Sequence, residues 1–583
     1  MPDRDISSPA LLAALLLACA AAFTGITRGL PSSERLGRVF ESAAQIEANA
    51  GLMLAARDAH YEKAENVRRS GSVYVGQAMP GKARRPAAAE EIPAAEAAGS
   101  LRSFFLGSFV GDETWSVSIL SRMRPAELDL NPRTLMYGGA YIYTLCAMLG
   151  TAALAGYLPL SSGAAYFLYH PEKAAAVFIV LRTLSALSLA ASVLLLFRTV
   201  RERMGASAAL AASTLCVLAP TVVYHGHVAK PHVYAMLWSL LTFHYALRIA
   251  EEGRKRYYVL GGAAAGLALG TLLPNALVFS SLLFAEHART GSVRGTLNRN
   301  VLLALLCAAA AFFLTNPYAA FSGLLASTIG AANSAYSYGA VRLSDMPRAL
   351  GVLFSGAVNW TYAPLLAAGT VCALRSYRSF GRVLALTAWT FISGNLLFLR
   401  HPGPFCSAVP FIAVLCVIAL RDMFSGGAAL KAAARAWLAL TLAAAGWGAF
   451  AVVRDFCETP NLQKAGEWIN AEVPRGSSIG LPGSEDLRPA VSPYMRFLDY
   501  RLYRMDPTAP TAPDALLPEY IAVTGFARKY VRGLEGFLEE RYSLEKEFAR
   551  RRGFIPALAE GGPDFSPQTD VYIYRLRAPA RRA

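Results

Sequence analysis

The apolar positions of this chain come in long runs, not in alternation. Stretches of about 15–25 residues with few charges recur from residue 9 to 453, the length a helix needs to cross a hydrocarbon core. The first is SPALLAALLLACAAAFTGIT, and others are readable at about 174–197, 205–222, 233–249, 256–271, 272–285, 300–314, 350–373, 383–399, 405–420 and 436–453. The pattern predicts an α-helical polytopic membrane protein with about 11 transmembrane helices. The segment ahead of the first run, MPDRDIS, has no net positive charge, so an uncleaved first span is expected rather than a secretory leader. A further run, YIYTLCAMLGTAALAGYLPL (141–160), is apolar enough to span. Its Gly and Pro punctuation equally suits a re-entrant or interfacial helix.

Two regions break this pattern. After the first run, RVFESAAQIEANAGLMLAARDAHYEKAENVRRS reads as a weakly amphipathic helix with Val39, Ala43, Ile46, Ala50 and Met53 on one stripe. AMPGKARRPAAAEEIPAAEAAGS, which follows, has the Ala/Pro/charge composition of a mobile linker. From about 454, NLQKAGEWINAEVPRGSSIGL reads as helix, turn and strand, EYIAVTG and VYIYRL alternate as strands, and GFARKYVRGLEGFLEERYSLEKEF reads as helix then strand. The predicted organisation is a transmembrane domain over 1–453 and a small soluble α/β domain over 454–583. Within the first, 30–108 is an outer-loop insertion, and 109–172 carries an outer loop with interfacial helices.

Charge gives the sidedness. The chain of 583 residues is 54% hydrophobic and 16% charged, with a net charge of +16. The basic residues gather in FRTVRERMG, EEGRKRYY, HARTGSVRGTLNRN, RSYRSFGR and RDMFSGGAALKAAAR. Given the spans above, all five fall on one side, which is then cytoplasmic. The other side receives YHGHVAKPH, TNPYAAFSG, RHPGP and the tail. No nucleic-acid-binding motif accompanies the positive charge, so no nucleic-acid partner is expected. Seven of the eight cysteines lie in apolar runs and their spacing suggests neither disulfides nor a zinc site. GGAAAGLALG lies inside an apolar run with no strand before it. Its Gly262, Gly266 and Gly270 form a small-residue stripe for close helix packing, not a dinucleotide loop.

The candidate chemistry is an acid pair and a set of cations. In FVGDETWSVSILSRM, Asp112 and Glu113 precede an amphipathic run. Acids suit a helix N-terminus through the macrodipole, but a carboxylate near a bilayer face is costly to keep charged and points to function. Arg182 lies within an apolar run and needs a carboxylate, a phosphate or a polar cavity. Lys230, in YHGHVAKPHVYAM, can hold a phosphate as a point charge or snorkel to the interface. Arg400 and His401 stand at the end of a span, where a helix-end charge is also ordinary. His225, His227 and His232 share a loop with Pro231. They lack the i,i+4 spacing and carboxylate partners of a metal triad, so no metal ligand is assigned. There is no phosphate-binding glycine loop for a nucleotide. An acid with several cations at the outer face suits a reaction whose leaving group is a lipid phosphate. The carboxylate takes the acceptor's proton and the cations neutralise the departing charge.

These residues bring a family resemblance. DETWSVSILSRM with LDLNPRTLMYGGAYIY, LRTLSAL, HVAKPHVYAMLWSLLTFHYALRIAEEGRKRYYVLGGAAAGLALG, TNPYAAFSG and KAGEWINAEVPRGSSI resemble segments of the GT-C-type glycosyltransferases. The group in question holds the protein O-mannosyltransferases and lipid A aminoarabinose transferases. The resemblance covers most of 101–480. It implies a polyprenyl-monophosphate sugar donor, inverting transfer, a site on the non-cytoplasmic face, a base at Asp112 with Glu113 beside it, and a segment 141–160 that runs along the membrane. The chain departs from the family in two ways. Lys230-Pro231-His232 stands where the family has Lys-Pro-Asp, and the stretch 30–108 is atypical.

The expected function is therefore transfer of a sugar from a polyprenyl-phosphate-linked donor to a lipid, glycan or protein acceptor. The expected setting is a bacterial inner membrane, with the catalytic loop and tail extracytoplasmic. Asp112 is the expected base, Glu113 its neighbour, and Arg182, Lys230 and Arg400 the donor-phosphate ligands. Tyr137, His227, His232 and His401 are candidate substrate contacts. The reading requires no cofactor and leaves a divalent metal open. The alternative from another class is a transporter or flippase of a lipid-linked substrate, which often shows internal repeats that are not visible here.

Overall fold

The described parts of the apolar runs are mostly helical. The computed structural model describes residues 4–69, 89–159, 163–321, 325, 346–398, 403–482, 487–505, 517–531, 533–550 and 568–577. In chain order the first half comprises α1 (Arg4–Phe23), α2 (Ser33–Val39), α3 (Ala43–Arg69), strand β1 (Ala89–Glu91), α4 (Ala94–Leu106), α5 (Gly111–Ser121), α6 (Gly139–Leu154), α7 (Ala164–Tyr169), α8 (Pro171–Met204), α9 (Ala206–Val217), α10 (Pro220–His227), α11 (His232–Glu252) and α12 (Lys255–Thr271). Next come α13 (Phe279–Thr290), α14 (Val293–Thr296) and α15 (Arg299–Thr315), then the helices Tyr362–Ser376, Arg378–Phe398, Val409–Ser425 and Ala428–Cys457.

Helix length limits how many of these can cross a bilayer unaided. Among the described residues, Pro171–Met204 and the helix that starts at Ala428 are long and apolar enough by length and composition. Two bent pairs raise the number to four if each is one span: Ala206–Val217 with Pro220–His227 (67°), and Ala349–Ala357 with Tyr362–Ser376 (102°). Segment 141–160 forms α6, 16 residues long. It rises about 24 Å, short of a core of about 30 Å.

Packing follows the small residues. A Cβ on Gly262 would come within 2.2 Å of the Ala304 carbonyl oxygen, and one on Gly266 equally close to that of Ala308. The glycine stripe of α12 thus lets the backbone of α15 into direct contact, as the sequence predicts. At the far end of the bundle the basic helix ends meet. Arg203 pairs with Glu251 at 2.7 Å, Arg248 with Glu202 at 2.8 Å, and Arg421 Nη1 donates to the Met204 carbonyl at 3.0 Å. Along α8, Arg203 lies about 30 Å from Arg182, so that basic end and the Arg182 level are a bilayer thickness apart.

Among the described residues, five strands of the tail and one from upstream form a six-stranded sheet, in the order β1-β3-β2-β4-β6-β5. The other strands are β2 (Ser478–Pro482), β3 (Arg501–Met505), β4 (Tyr520–Thr524), β5 (Tyr542–Phe548) and β6 (Val571–Leu576). β2 is parallel to β3 and β4, and the remaining pairs are antiparallel. The edge strand β1 comes from far upstream, with Ala89 opposite Met505 and Glu91 opposite Tyr503. This corrects the expectation of a mobile linker over 78–100, whose first part lies outside the described residues. From 89 on the chain is strand and helix. Ala97, Ala98, Leu101, Phe104 and Phe105 form the buried face of α4, at the 3–4 residue spacing of an amphipathic helix. Its alanines, the best helix formers, had the composition of a linker. Leu36, Met53, Leu101 and Phe104 share one core with Leu462, Ile479, Tyr494 and Leu502, so the inserted segment and the tail fold together.

Candidate active site

The acid pair opens α5. Asp112 and Glu113 both occupy its first turn, where negative charge meets the positive end of the helix dipole. Consecutive helical residues point about 100° apart, so the two carboxylates face different surroundings. The Glu113 side chain is fully buried, whereas that of Asp112 is 56% exposed.

Glu113 is held by four donors. Oε1 accepts from Arg182 Nε at 2.7 Å and from the Ala229 amide at 2.9 Å. Oε2 accepts from Arg182 Nη2 at 2.7 Å and from the Ser108 hydroxyl at 2.5 Å. The Arg182 side chain is also fully buried. Its Nη1 donates to the carbonyls of Ile26 (2.5 Å) and Arg28 (3.0 Å), and Nη2 also reaches Ser108 Oγ at 3.3 Å. A guanidinium has five N–H donors, and all five of Arg182 are engaged inside the protein. Arg182, expected as a ligand of the donor phosphate, has no donor left for one here. It ties the exit of α1, the α4–α5 turn and α8 into a single knot. A bidentate, fully satisfied pair can remain charged in an apolar setting.

The knot places the exposed pair. Ala229 is one residue before Lys230, and its amide is the one bound to Glu113. The Ser116 hydroxyl donates to the Ala229 carbonyl at 3.1 Å, and the Ser185 hydroxyl donates to that of Val228 at 2.7 Å. With 228–230 laced to α5 and α8, Lys230 Nζ comes to 2.5 Å from Asp112 Oδ2. The ammonium stem is buried, its side chain 8% exposed, while the carboxylate partly faces solvent. Opposite charges meet at the edge of the protein, open on the side of the acid.

The other expected residues are distributed around this centre. The three histidines are not in a loop. His225 and His227 end α10 and His232 begins α11, because Pro220 starts a helical turn after the 67° bend. Both ring nitrogens of His227 lie 2.8 Å from carbonyl oxygens, of Val223 and Thr24, and the ring stacks on Phe456 at 4.6 Å. It is a packing residue of the α1 exit. His232 and His225 rings lie 4.2 Å apart, both buried. Tyr137 is buried edge-on to Tyr141, at 6.2 Å. Arg400 and His401 lie outside the described residues. Among the described residues no three His, Cys, Asp or Glu side chains gather as a metal-ion site.

Sequence reasoning missed Ser108 and the Ala229 amide. A serine five positions before the acid it binds, or a backbone N–H, carries no signal until the fold brings them together.

Residues 173–321 match the family described as dolichyl-phosphate-mannose-protein mannosyltransferase. This bears out the resemblance read from the sequence, and the matched family is one of glycosyltransferases named for a lipid-phosphate sugar. The matched stretch contains Arg182 and Lys230 and begins after Asp112. No curated protein sequence matches the chain. Three solved structures overlap it loosely. ArnT from Cupriavidus metallidurans bound to undecaprenyl phosphate shares 11% identity with a TM-score of 0.39, over 80% of this chain and 92% of that one. The Archaeoglobus fulgidus oligosaccharyltransferase tethered to an acceptor peptide shares 14% at 0.40, over 70% and 64%. AglB from Archaeoglobus fulgidus in complex with an inhibitory peptide and a dolichol-phosphate shares 14% at 0.40, over 80% and 58%. Those overlaps are too loose to bear on the site.

Proposed function

We propose that this chain is a membrane glycosyltransferase of GT-C architecture that moves a sugar from a polyprenyl-monophosphate donor to an acceptor hydroxyl on the extracytoplasmic face. The observation that carries the reading is the 2.5 Å pair of buried Lys230 and half-exposed Asp112. It sits about a bilayer thickness from the basic helix ends, which accords with the positive-inside rule. Asp112 is the general base. It takes the proton of the acceptor hydroxyl as that oxygen bonds the anomeric carbon, the bond from that carbon to the phosphate oxygen breaks, and polyprenyl phosphate leaves with the electron pair. Attack from the face opposite the leaving group inverts the anomeric configuration. Lys230 meets the departing phosphate as a point charge. The donor phosphate competes with Asp112 for the ammonium, so donor arrival releases the carboxylate for its work.

The proposal changes the parts given to two residues. Glu113 and Arg182 act through position, holding Asp112 and Lys230 in register, and neither touches the donor. The remaining organisation is proposed as read from sequence. There are about 11 crossings within 1–453, with a catalytic outer loop over 109–172. The tail over 454–583 lies outside, and the setting is a bacterial inner membrane.

The test is product chemistry. Purified protein with a labelled polyprenyl-phosphate sugar and an envelope extract that supplies acceptor hydroxyls is expected to release free polyprenyl phosphate, and Asp112→Asn to release it at least about 10²-fold more slowly while folding normally. Sugar that crosses vesicles with its phosphate bond intact would mark a transporter instead. Normal turnover by Asp112→Asn would remove the base from the mechanism.

A further inference from the structure

Arg35 is a buried charge that the proposed chemistry does not use. It lies in α2 and is 4% exposed. Its guanidinium donates to three main-chain carbonyls: Nη1 to Phe104 (3.2 Å) and Gly107 (2.6 Å), and Nη2 to Gly29 (2.8 Å). It also lies over the ring of Tyr494 in the tail, 5.5 Å from the centroid. Burial lowers the guanidinium's pKa from its ordinary value and raises that of the Tyr494 phenol, so the phenol stays neutral and donates to the Pro489 carbonyl at 3.1 Å.

Those three carbonyls flank the turn that delivers Asp112. Phe104 belongs to the last turn of α4 and Gly107 follows it. Gly29 accepts the Phe109 amide at 2.9 Å. The tail presses on the same turn: the Phe104 ring is edge-on to Tyr494 at 4.9 Å and to Phe497 at 5.1 Å. A Cβ on Gly107 would come 2.6 Å from the Ser103 carbonyl and 3.3 Å from the Pro489 ring. Arg182 holds the carbonyls of Ile26 and Arg28, just before Gly29. Two buried guanidiniums therefore grip the same two segments, 26–29 and 104–113, one rooted in α8 and one lying over Tyr494 of the tail.

We propose that Arg35, seated on Tyr494, is a positioning residue that fixes the 104–110 turn and thereby aims Asp112, which makes the tail and the inserted segment part of the frame of the active site. The inference rests on the glycosyl-transfer reading above. A base must stand within hydrogen-bond reach of its proton, and a displacement of about 1 Å can cost about 10²-fold in rate. Among the described residues Arg35 is engaged by protein carbonyls and the Tyr494 ring, so its loss is expected to act on turnover and not on donor binding.

The experiment uses the full chain in detergent or nanodiscs, with Arg35→Ala, Arg35→Lys, Tyr494→Ala and Tyr494→Phe. Amide hydrogen exchange over 104–113 is followed beside kinetics with a polyprenyl-phosphate sugar. Arg35→Ala is expected to speed exchange at 107–113 and to lower kcat by about 10- to 100-fold, with the donor KM within about twofold of wild type. Arg35→Lys, which keeps the charge but not the fork, falls between. Tyr494→Phe keeps the ring and stays near wild type, and Tyr494→Ala loses turnover in part. Unchanged exchange at 107–113 in folded Arg35→Ala overturns the inference. So does a kcat loss no larger than that of Arg38→Ala, an arginine of the same helix that pairs with the exposed Glu34 and with Glu467, or a donor KM that rises as much as kcat falls. If Arg35→Ala does not fold, Arg35→Lys and Tyr494→Ala give the same readings. If the wild-type protein turns over no donor, the glycosyl-transfer reading fails, and exchange at 107–113 still decides whether Arg35 holds the turn.

Discussion

The two ends of the helical bundle each bury a glutamate against an arginine, and only one end looks like an active site. At the basic end Glu286 is fully buried. It accepts from Arg289 at 2.6 and 2.9 Å and also binds Tyr258 and Asn298. That pair lies within one helix, and Arg289 is 37% exposed. At the other end Glu113 and Arg182 are both fully buried and 69 positions apart in sequence. Each carboxylate is satisfied by four donors, so neither is available for proton transfer. The difference lies beside them. Next to Glu113 stands Asp112, half in solvent and paired with a cation from the connection between α10 and α11, whereas the neighbours of Glu286 are Ala285 and His287. A buried ion pair is thus weak evidence of function. A reactive acid held open by a buried pair is stronger.

Five substitutions sharpen or break that contrast, from the largest expected effect downward. Asp112→Asn is expected to lower transfer by about 10²–10⁴-fold, the usual contribution of a general base, with the melting temperature nearly unchanged because the side chain is half exposed. A labelled-donor assay and a thermal melt read both. Glu113→Ala leaves Arg182 buried without its counter-charge and is expected to cost about 3–5 kcal/mol of stability, visible as lost folded yield. Glu286→Ala costs less, about 1–3 kcal/mol, because Arg289 reaches water. Its folded fraction should transfer sugar at the wild-type rate, and equal losses of rate in Glu113→Ala and Glu286→Ala would erase the distinction between the two ends. Lys230→Met is expected to raise the donor KM by about tenfold or more, and a pure kcat effect would take the phosphate away from Lys230. Gly266→Ala, far from both ends, must push α12 off α15 and is expected to cost about 1–3 kcal/mol, read as a lower melting temperature at unchanged KM.

Much of this was legible in the chain. The helices fall where the apolar runs are, because a long helix in lipid must be apolar along its length, and the glycines of α12 face α15 because only they let two backbones touch. Asp112, Glu113, Arg182 and Lys230 were singled out by their cost in an apolar setting, and they do meet. What was not legible was the division of labour among them. Glu113 and Asp112 differ by one position and one helical step, and no pattern in the sequence says which will be buried. Arg182 read as a phosphate ligand because its partners, Ile26, Arg28, Ser108 and Glu113, all lie about 70 or more positions away in sequence. The linker reading of 78–100 failed for a similar reason. Ala, Glu and Pro look unstructured until β1 finds β3 more than 400 residues later.

By itself, the sequence determined where helices form, which ends are basic and which side chains are too costly to be idle, because these follow from local hydrophobicity and from the price of desolvating a charge. Only the tertiary structure decided which carboxylate is held and which is left open. It also decided which cation stands beside the open one, and that the tail and the inserted segment brace the turn between them. Those outcomes depend on donors and acceptors brought together across long separations, where burial and distance, and not residue type, set what a charge can do.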